Sequence, residues 1–262
     1  MDPDETRKAF IPLGGTREPY SRLATDLILE NNPEVMTSLV HKLGFSKQFA
    51  FHDVFSIDEP ELLSFVPRPA LALLLVFPVS ETYEKFRREE DAEKPEYEGS
   101  GPQEPVIWYK QTIRNACGLM GLLHGVSNGQ AKSHVEPGSD LAKLIEGAVP
   151  LKPAARADLL YESKALESAH RAAATTGDTA APEADASVDL HYVCFIKAED
   201  NHLWELDGRR KGPLDRGALS ADEDVLSEKA LGLGVRPFIK REVEAAGGDS
   251  RFSLIALAPS FD

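Results

Sequence analysis

Cysteine is scarce in this chain: its 262 residues include two, Cys117 and Cys194, far apart in sequence. A secreted domain stapled by disulfides ordinarily carries more, so no disulfide framework is expected. Long apolar runs are also lacking. The longest, Ala70–Phe77, is far too short to cross a bilayer. The first residues, Met1-Asp2-Pro3-Asp4-Glu5, are acidic and lack an apolar stretch, so no signal peptide is expected. Positive charge is in deficit, with 29 Lys+Arg against 43 Asp+Glu and a formal net charge of −14. This balance argues against nucleic acid and membrane surfaces as partners and suits a basic protein or peptide ligand, although solubility alone is the simpler account. A soluble protein of a reducing compartment is expected, located in the cytoplasm, with the nucleus as a second location.

A hydrophobic content of 42% supports a sizeable core, in one large domain or two small ones. Asn32 and Pro33 are a good N-cap and first helical residue, and Met36, Leu39, Val40 and Leu43 follow at helical spacing before Gly44. A short helix is predicted over Glu59–Phe65, and Ala70–Phe77 reads as a strand buried on both faces. The charged residues 80–105, rich in Pro and Gly, read as an exposed connection. Helices are predicted after Gly138-Ser139-Asp140 and from Ala154 to about His170. Ala172–Ser187 has few bulky apolar residues and reads as a mobile loop. Leu190–Ile196 and His202–Leu206 read as a hairpin about Glu199-Asp200-Asn201. Val225–Ala245 is mostly helical, broken near Gly232, Gly234 and Pro237, and Arg251–Ala258 is a closing strand. Helices early and an antiparallel sheet late suggest one layered domain of mixed type.

The chemistry concentrates around Gln111-Thr112-Ile113-Arg114-Asn115-Ala116-Cys117. Cys117 opens an apolar helix, and the positive end of a helix dipole favours an anion there. The Gln111 amide, one to two turns upstream, is placed to donate to an oxyanion with the Cys117 N–H. The plain alternatives are a buried structural thiol and a surface glutamine. Cys194, mid-strand among apolar neighbours, fits the structural reading. A catalytic thiol needs a base, usually histidine. His41 and His52 have no adjacent orienter, and His124 lies about two turns along the cysteine helix, roughly 10 Å away. His134, His170 and His202 sit in or beside turns and flexible stretches. His191 begins a strand, at an element edge, and the hairpin brings Asp207 alongside it to fix its tautomer. A strand-start histidine and a common Asp-Gly turn remain the bland readings of that pair.

Several segments match a known family in order. They are Lys110-Gln111-Thr112-Ile113 and Asn115-Ala116-Cys117-Gly118, followed by Gly121-Leu122; Asp189-Leu190-His191-Tyr192; and Glu205-Leu206-Asp207-Gly208-Arg209. Asn32-Pro33-Glu34-Val35, Glu61-Leu62-Leu63 and Val66-Pro67-Arg68-Pro69 match as well. The chain resembles the ubiquitin C-terminal hydrolases, papain-like thiol peptidases that cut after the C-terminal glycine of ubiquitin. It looks like their short, single-domain kind, spanning residues 1–262 without the long C-terminal extension of some members. The resemblance implies an α/β/α papain-like fold with a central antiparallel sheet and a knotted backbone. It implies Cys117 as nucleophile, His191 as base, Asp207 as orienter and Gln111 as oxyanion donor. Leu13 and Asn115 are placed by it against substrate, and residues from about 165 to 188 become a loop crossing over the active site. It implies ubiquitin as partner, with a NEDD8-type modifier open as a second, a monomeric enzyme, and no cofactor or metal.

The chain departs from the family pattern at Arg114, where a small polar residue is usual, at Leu119-Met120, and in the hairpin turn before Asp207, which is long by one residue. The largest departure is Gly14–Leu29, which intervenes between Phe10-Ile11-Pro12-Leu13 and the first helix. It is either a surface excursion or a gene-model error, and displacement of Leu13 by it would lower ubiquitin affinity. Two other functions stay open beside the deubiquitinase: a non-catalytic ubiquitin-binding protein on the same fold, and a thiol hydrolase of another small amide or ester.

Overall fold

The computed structural model describes residues 15–16, 32–112, 116–174, 179–180, 190–245 and 252–261. Along them run β1 (Gly15–Thr16), α1 (Pro33–Leu43), β2 (Phe49–Asp53), α2 (Pro60–Leu63), β3 (Ala72–Pro78), α3 (Glu81–Asp91) and α4 (Cys117–Val126). A 3₁₀ turn at Gly129–His134 leads to α5 (Asp140–Ala148), α6 (Pro153–Glu162), α7 (Lys164–Ala174), β4 (Thr179–Ala180), β5 (Leu190–Lys197) and β6 (His202–Leu206). β7 (Leu214–Ala218), α8 (Glu228–Leu233), α9 (Val235–Ala245) and β8 (Ser253–Pro259) complete the described chain. β1 and β4 form a parallel pair of two residues each. The other six strands form one sheet, in the order β2-β8-β3-β5-β6-β7, with every neighbour antiparallel.

Alternation along the central strands creates the layers. Ala72, Leu74 and Val76 of β3 face a core with Tyr192, Cys194 and Ile196 of β5 and with α1, α4, α5, α6 and α7. Leu73, Leu75 and Phe77 face the opposite core, with Val193 and Phe195 and with Tyr83 of α3, Ala230 and Leu231 of α8 and Phe238 of α9. This is the expected α/β/α sandwich, and the continuous apolar run at 70–77 exists because both of its faces are covered. The backbone threading that the resemblance implies passes through residues outside those described.

Local chemistry explains the element ends. The Asn32 side chain accepts from the N–H groups of Glu34 at 2.9 Å and Val35 at 3.2 Å. Gly44 closes α1 with φ of 99°, a left-handed conformation suited to glycine. Ser139 caps α5 and Ser227 caps α8. The helix expected from Ala154 to about His170 is two helices parted at Ser163, whose hydroxyl accepts from Leu166 N at 3.2 Å and restarts the chain as α7. α7 runs to Ala174 and packs on α1. The expected crossover loop is therefore helix as far as Ala174, and residues 175–178 and 181–189 lie outside those described. Leu13 and most of Gly14–Leu29 lie outside them too.

One expectation fails outright. Residues 80–105 do not form an exposed connection throughout, because Glu81–Asp91 is α3. Ser80 Oγ accepts from Tyr83 N at 2.8 Å and starts it. Its charges are engaged in ion pairs: Glu84 with Arg209 at 2.7 Å, Asp91 with Arg210 at 2.8 Å, and Glu90 with Arg210 and Arg216. A charge-rich helix of this kind hides from hydrophobic periodicity. Strands β2 and β7 are not anticipated by the sequence reading: each is five residues long, too short to show a period, and β7 carries few apolar side chains.

The outer edge of β2 is closed by α1. Thr37 Oγ1 accepts from Phe51 N at 2.8 Å, and His41 Nε2–H donates to Phe49 O at 2.8 Å.

Arg156 of α6 is wholly buried and paired with Glu104, which is itself nearly buried; its Nε also donates to Ala148 O at 2.8 Å. Arg156→Ala would leave the Glu104 carboxylate buried without its counterion, and such losses cost about 3–5 kcal/mol. Denaturant unfolding should show a midpoint lowered to that extent; a change under about 1 kcal/mol would mean that water replaces the guanidinium there.

Candidate active site

Helix α4 starts at Cys117 and is buried along its whole length between the sheet and the outer helices. Its close seating on the sheet depends on Gly125, where a Cβ would lie 3.1 Å from the Ala72 Cβ. Ala116, at the N-cap, makes no side-chain capping bond. The sulfur thus sits at the positive end of a ten-residue helix beside N–H groups that this residue leaves free for an anion. Cys117 Sγ lies 3.9 Å from Leu190 O, at the start of β5.

His191 is the second residue of β5, opposite Phe77 of β3 in the ladder. It projects from the face opposite Tyr192. The two layers meet where β5 begins: the thiol arrives from the helix on one face and the imidazole from the other. Cys117 lies beside the His191 ring, close enough to act on its charge. On its far side the ring donates from Nε2 to Asp207 Oδ1 at 2.7 Å. With Nε2 so engaged, Nδ1 is the nitrogen left for the thiol. Strand register accounts for the meeting. Cys194 pairs with Leu206, so Asp207, the next residue, falls opposite Val193, two positions from His191 and on the same face of β5.

Asp207 is wholly buried and surrounded by donors. Oδ1 also accepts from Arg209 N at 2.8 Å, and Oδ2 accepts from the Tyr83 hydroxyl at 2.5 Å. The Asp207 carbonyl accepts from Trp108 Nε1 at 3.1 Å. Burial opposes its charge, but the His191 charge and hydrogen bonds from His191, Tyr83 and Arg209 win, holding the carboxyl well below the usual range. For His191, burial opposes protonation, and the Asp207 charge and hydrogen bond, with Cys117 beside the ring, overcome it and raise its pKa to about 9. The Asp207 carboxylate therefore favours the protonated form of the His191 ring.

Gln111 lies on the segment that runs along the turn after Asp207. Its N–H donates to Gly208 O at 2.9 Å. Gly208 is required by this approach, because a Cβ there would stand 2.8 Å from Gln111 Cβ and 3.1 Å from Tyr109 O. The same segment is pinned to α4. Tyr109 N donates to His124 Nε2 at 2.9 Å, and Asn128 bridges Ile107 N at 2.6 Å and Ile107 O at 3.0 Å. The α4 helix thus fixes both the thiol and the segment that carries Gln111.

The remaining histidines are committed elsewhere. His124 is buried, with its pKa pushed down to about 3 by desolvation, and acts as a neutral acceptor. His170 is pushed down to about 3 by burial in α7. His41 and His52 bond main-chain carbonyls, His134 packs on Phe49, and His202 pairs with Asp215. Cys194 is wholly buried, and desolvation raises its thiol well above the ordinary range. The structure brings Cys117, His191 and Asp207 into one line and sets Gln111 on the adjoining segment. Asn115, like Leu13, lies outside the described residues. Sequence reasoning missed Tyr83, Trp108 and the Arg209 N–H. The Tyr83 helix was signalled by Ser80 followed by Glu81 and Glu84, a capping serine with acidic residues in the first turn.

A model of the family described as ubiquitin carboxyl-terminal hydrolase, family 1, matches residues 27–240. Human ubiquitin carboxyl-terminal hydrolase isozyme L1 is 38% identical over 229 residues, covering 87% of this chain and 96% of its own. Ubiquitin carboxyl-terminal hydrolase YUH1 of Saccharomyces cerevisiae is 34% identical over 241 residues, covering 89% of this chain and 96% of its own. Among solved structures, the UCH37 catalytic domain of Trichinella spiralis, bound to ubiquitin vinyl methyl ester, superposes with a TM-score of 0.64. That pair is 20% identical and covers 88% of this chain and 94% of the other, a likeness of fold.

Proposed function

The chain belongs to ubiquitin carboxyl-terminal hydrolase family 1, and from that premise we propose that Cys117, His191, Asp207 and Gln111 carry out its thiol-dependent hydrolysis at the C-terminal glycine of ubiquitin. The observation that carries this assignment is the buried line from Asp207 through His191 to the thiol at the start of α4.

His191 takes the thiol proton, and the thiolate attacks the carbonyl carbon of the terminal glycine. The electron pair moves to the carbonyl oxygen, where the Cys117 N–H and the Gln111 amide donate to it. The imidazolium then gives its proton to the departing amine nitrogen, the C–N bond breaks, and a thioester remains. Water, relieved of a proton by His191, attacks the thioester; the C–S bond breaks, the Cys117 sulfur leaves and regains a proton from His191, and ubiquitin departs with a free carboxylate. Asp207 keeps its charge throughout and stabilises the imidazolium. A tail ending in glycines suits a nucleophile this deeply set, since Cys117 is only 7% exposed.

The assignment is tested by treating the protein with ubiquitin bearing a C-terminal electrophile and mapping the adduct by peptide mass spectrometry. Modification of Cys117 is expected. An adduct on Cys194, or none, would overturn it. A further expectation concerns Gln111: Gln111→Ala should lower kcat by about 10²–10³-fold with little change in KM, because the donor acts on the transition state. A change confined to KM would assign Gln111 to ground-state binding.

A further inference from the structure

We propose that Tyr83 is a positioning residue for this reaction, its hydroxyl holding the Asp207 carboxylate charged and turned toward His191. The inference rests on the roles proposed for Cys117, His191 and Asp207.

A carboxylate only accepts hydrogen bonds, so in the 2.5 Å contact with Asp207 Oδ2 the phenol is the donor. Oδ1 is shared by His191 Nε2–H and Arg209 N–H. The Tyr83 bond on Oδ2 therefore fixes the rotation of the carboxylate plane about its terminal torsion. The phenol itself has little freedom. Its ring lies among Phe77, Phe238 and His191, with centroids at 4.8, 5.9 and 6.0 Å. Its N–H is held by Ser80 Oγ. Its helix is tied to the turn after Asp207 by Arg209 to Glu84 and Arg210 to Asp91. The strongly charged helix α3 thus serves as a brace for the orienter, with Tyr83 as its contact point.

Among the described residues, His191 faces this pair from β5, His124 from α4, Glu205 from β6, Arg87 from α3 and Arg210 from the following turn, with Cys117 beside His191. In this setting the phenol keeps its proton far into the alkaline range and remains a donor wherever the enzyme works. Removing the hydroxyl takes a hydrogen bond from the charged carboxylate, so Asp207 binds a proton at higher pH. Once neutral, it no longer supports the imidazolium.

The experiment measures kcat and KM for hydrolysis of ubiquitin carrying a C-terminal fluorophore, from acid to alkaline pH, together with thermal unfolding. In Tyr83→Phe, kcat should fall about tenfold with KM within about twofold, and the acidic limb of kcat/KM should move up by about half to one pH unit. A second protein carries 3-fluorotyrosine at position 83, a more acidic and stronger donor of nearly native shape. Its acidic limb should move the opposite way, and this arm stands even where the phenylalanine variant folds poorly. Shifts of opposite sign support the role. An unmoved acidic limb in either folded protein overturns it, including the case where kcat and the melting temperature fall together, since a packing residue gives that result. Cys117→Ala measured alongside separates the two layers: activity surviving there removes the site assignment itself, whereas a silent Tyr83 removes only this inference.

Discussion

Cys117→Ala is expected to bind ubiquitin as the parent protein does and to turn over nothing measurable. Removal of the nucleophile from a serine peptidase triad costs about 10⁶-fold in kcat, and the same logic holds for a thiol that forms the acyl intermediate. The fold should tolerate the change. The sulfur's contact with Leu190 O is long, at 3.9 Å, and alanine is a good helix former at the start of α4. Calorimetric titration with ubiquitin and a turnover assay on the same preparation decide the matter. Hydrolysis within about 100-fold of the parent would move the nucleophile away from Cys117. The second thiol is no substitute, because Cys194 is wholly buried in the centre of β5 and its proton is harder to remove than usual.

The second large effect separates charge from orientation at Asp207. Asp207→Ala removes both and should lower kcat by about 10³–10⁴-fold. Asp207→Asn should be milder, roughly 10–10²-fold, for a reason specific to this site. An asparagine oxygen in the Oδ1 place still accepts from His191 and from Arg209 N, while its amide donates to the Tyr83 hydroxyl, which can accept as well as donate. The imidazole tautomer is then preserved and only the charge is lost. A loss in Asp207→Asn equal to that in Asp207→Ala would show that charge alone matters.

The same pair makes stability depend on pH. His191 has a folded pKa raised from 6.5 to about 9, so its contribution is complete below about pH 6.5 and is lost as pH rises through about 9. Asp207 is shifted down from 3.8, so its contribution is present above that value and is lost as pH falls. The melting-temperature deficit of Asp207→Asn should therefore be greatest from about pH 4 to 6.5 and shrink toward pH 9. A deficit that is flat across this range would mean that the pair is not charged in the folded protein.

Residues with strong local chemistry were legible in the sequence. Asn32, Pro33 and Gly44 bound α1 by capping rules, and the apolar run at 70–77 gave the central strand. The hairpin about Asn201, with φ of 62°, gave the juxtaposition of His191 and Asp207. Elements whose stability comes from partners distant in sequence were not legible. α3 has a polar surface and is held by Arg209, Arg210 and Arg216, more than a hundred residues away. Tyr83 was hidden with it, since its value lies in a carboxylate 124 residues further on. β7 depends on its neighbour β6 rather than on its own composition. Its place before Cys117 leaves Gln111 open between an oxyanion donor and a surface glutamine, and family likeness selects the first. The physical reason for its place, a glycine at 208 that lets two strands of chain touch, appears only in three dimensions.

The closed edge of β2 carries a consequence for how this molecule meets others. Thr37 and His41 already occupy the outward-facing N–H of Phe51 and carbonyl of Phe49. A visiting peptide that seeks to extend the sheet finds these two slots filled. Recognition on this flank must therefore proceed through side-chain shape and charge. The plugs also deny misfolded copies a template for stacking into fibrils, so crowding this protein to high concentration should not seed cross-strand growth from β2.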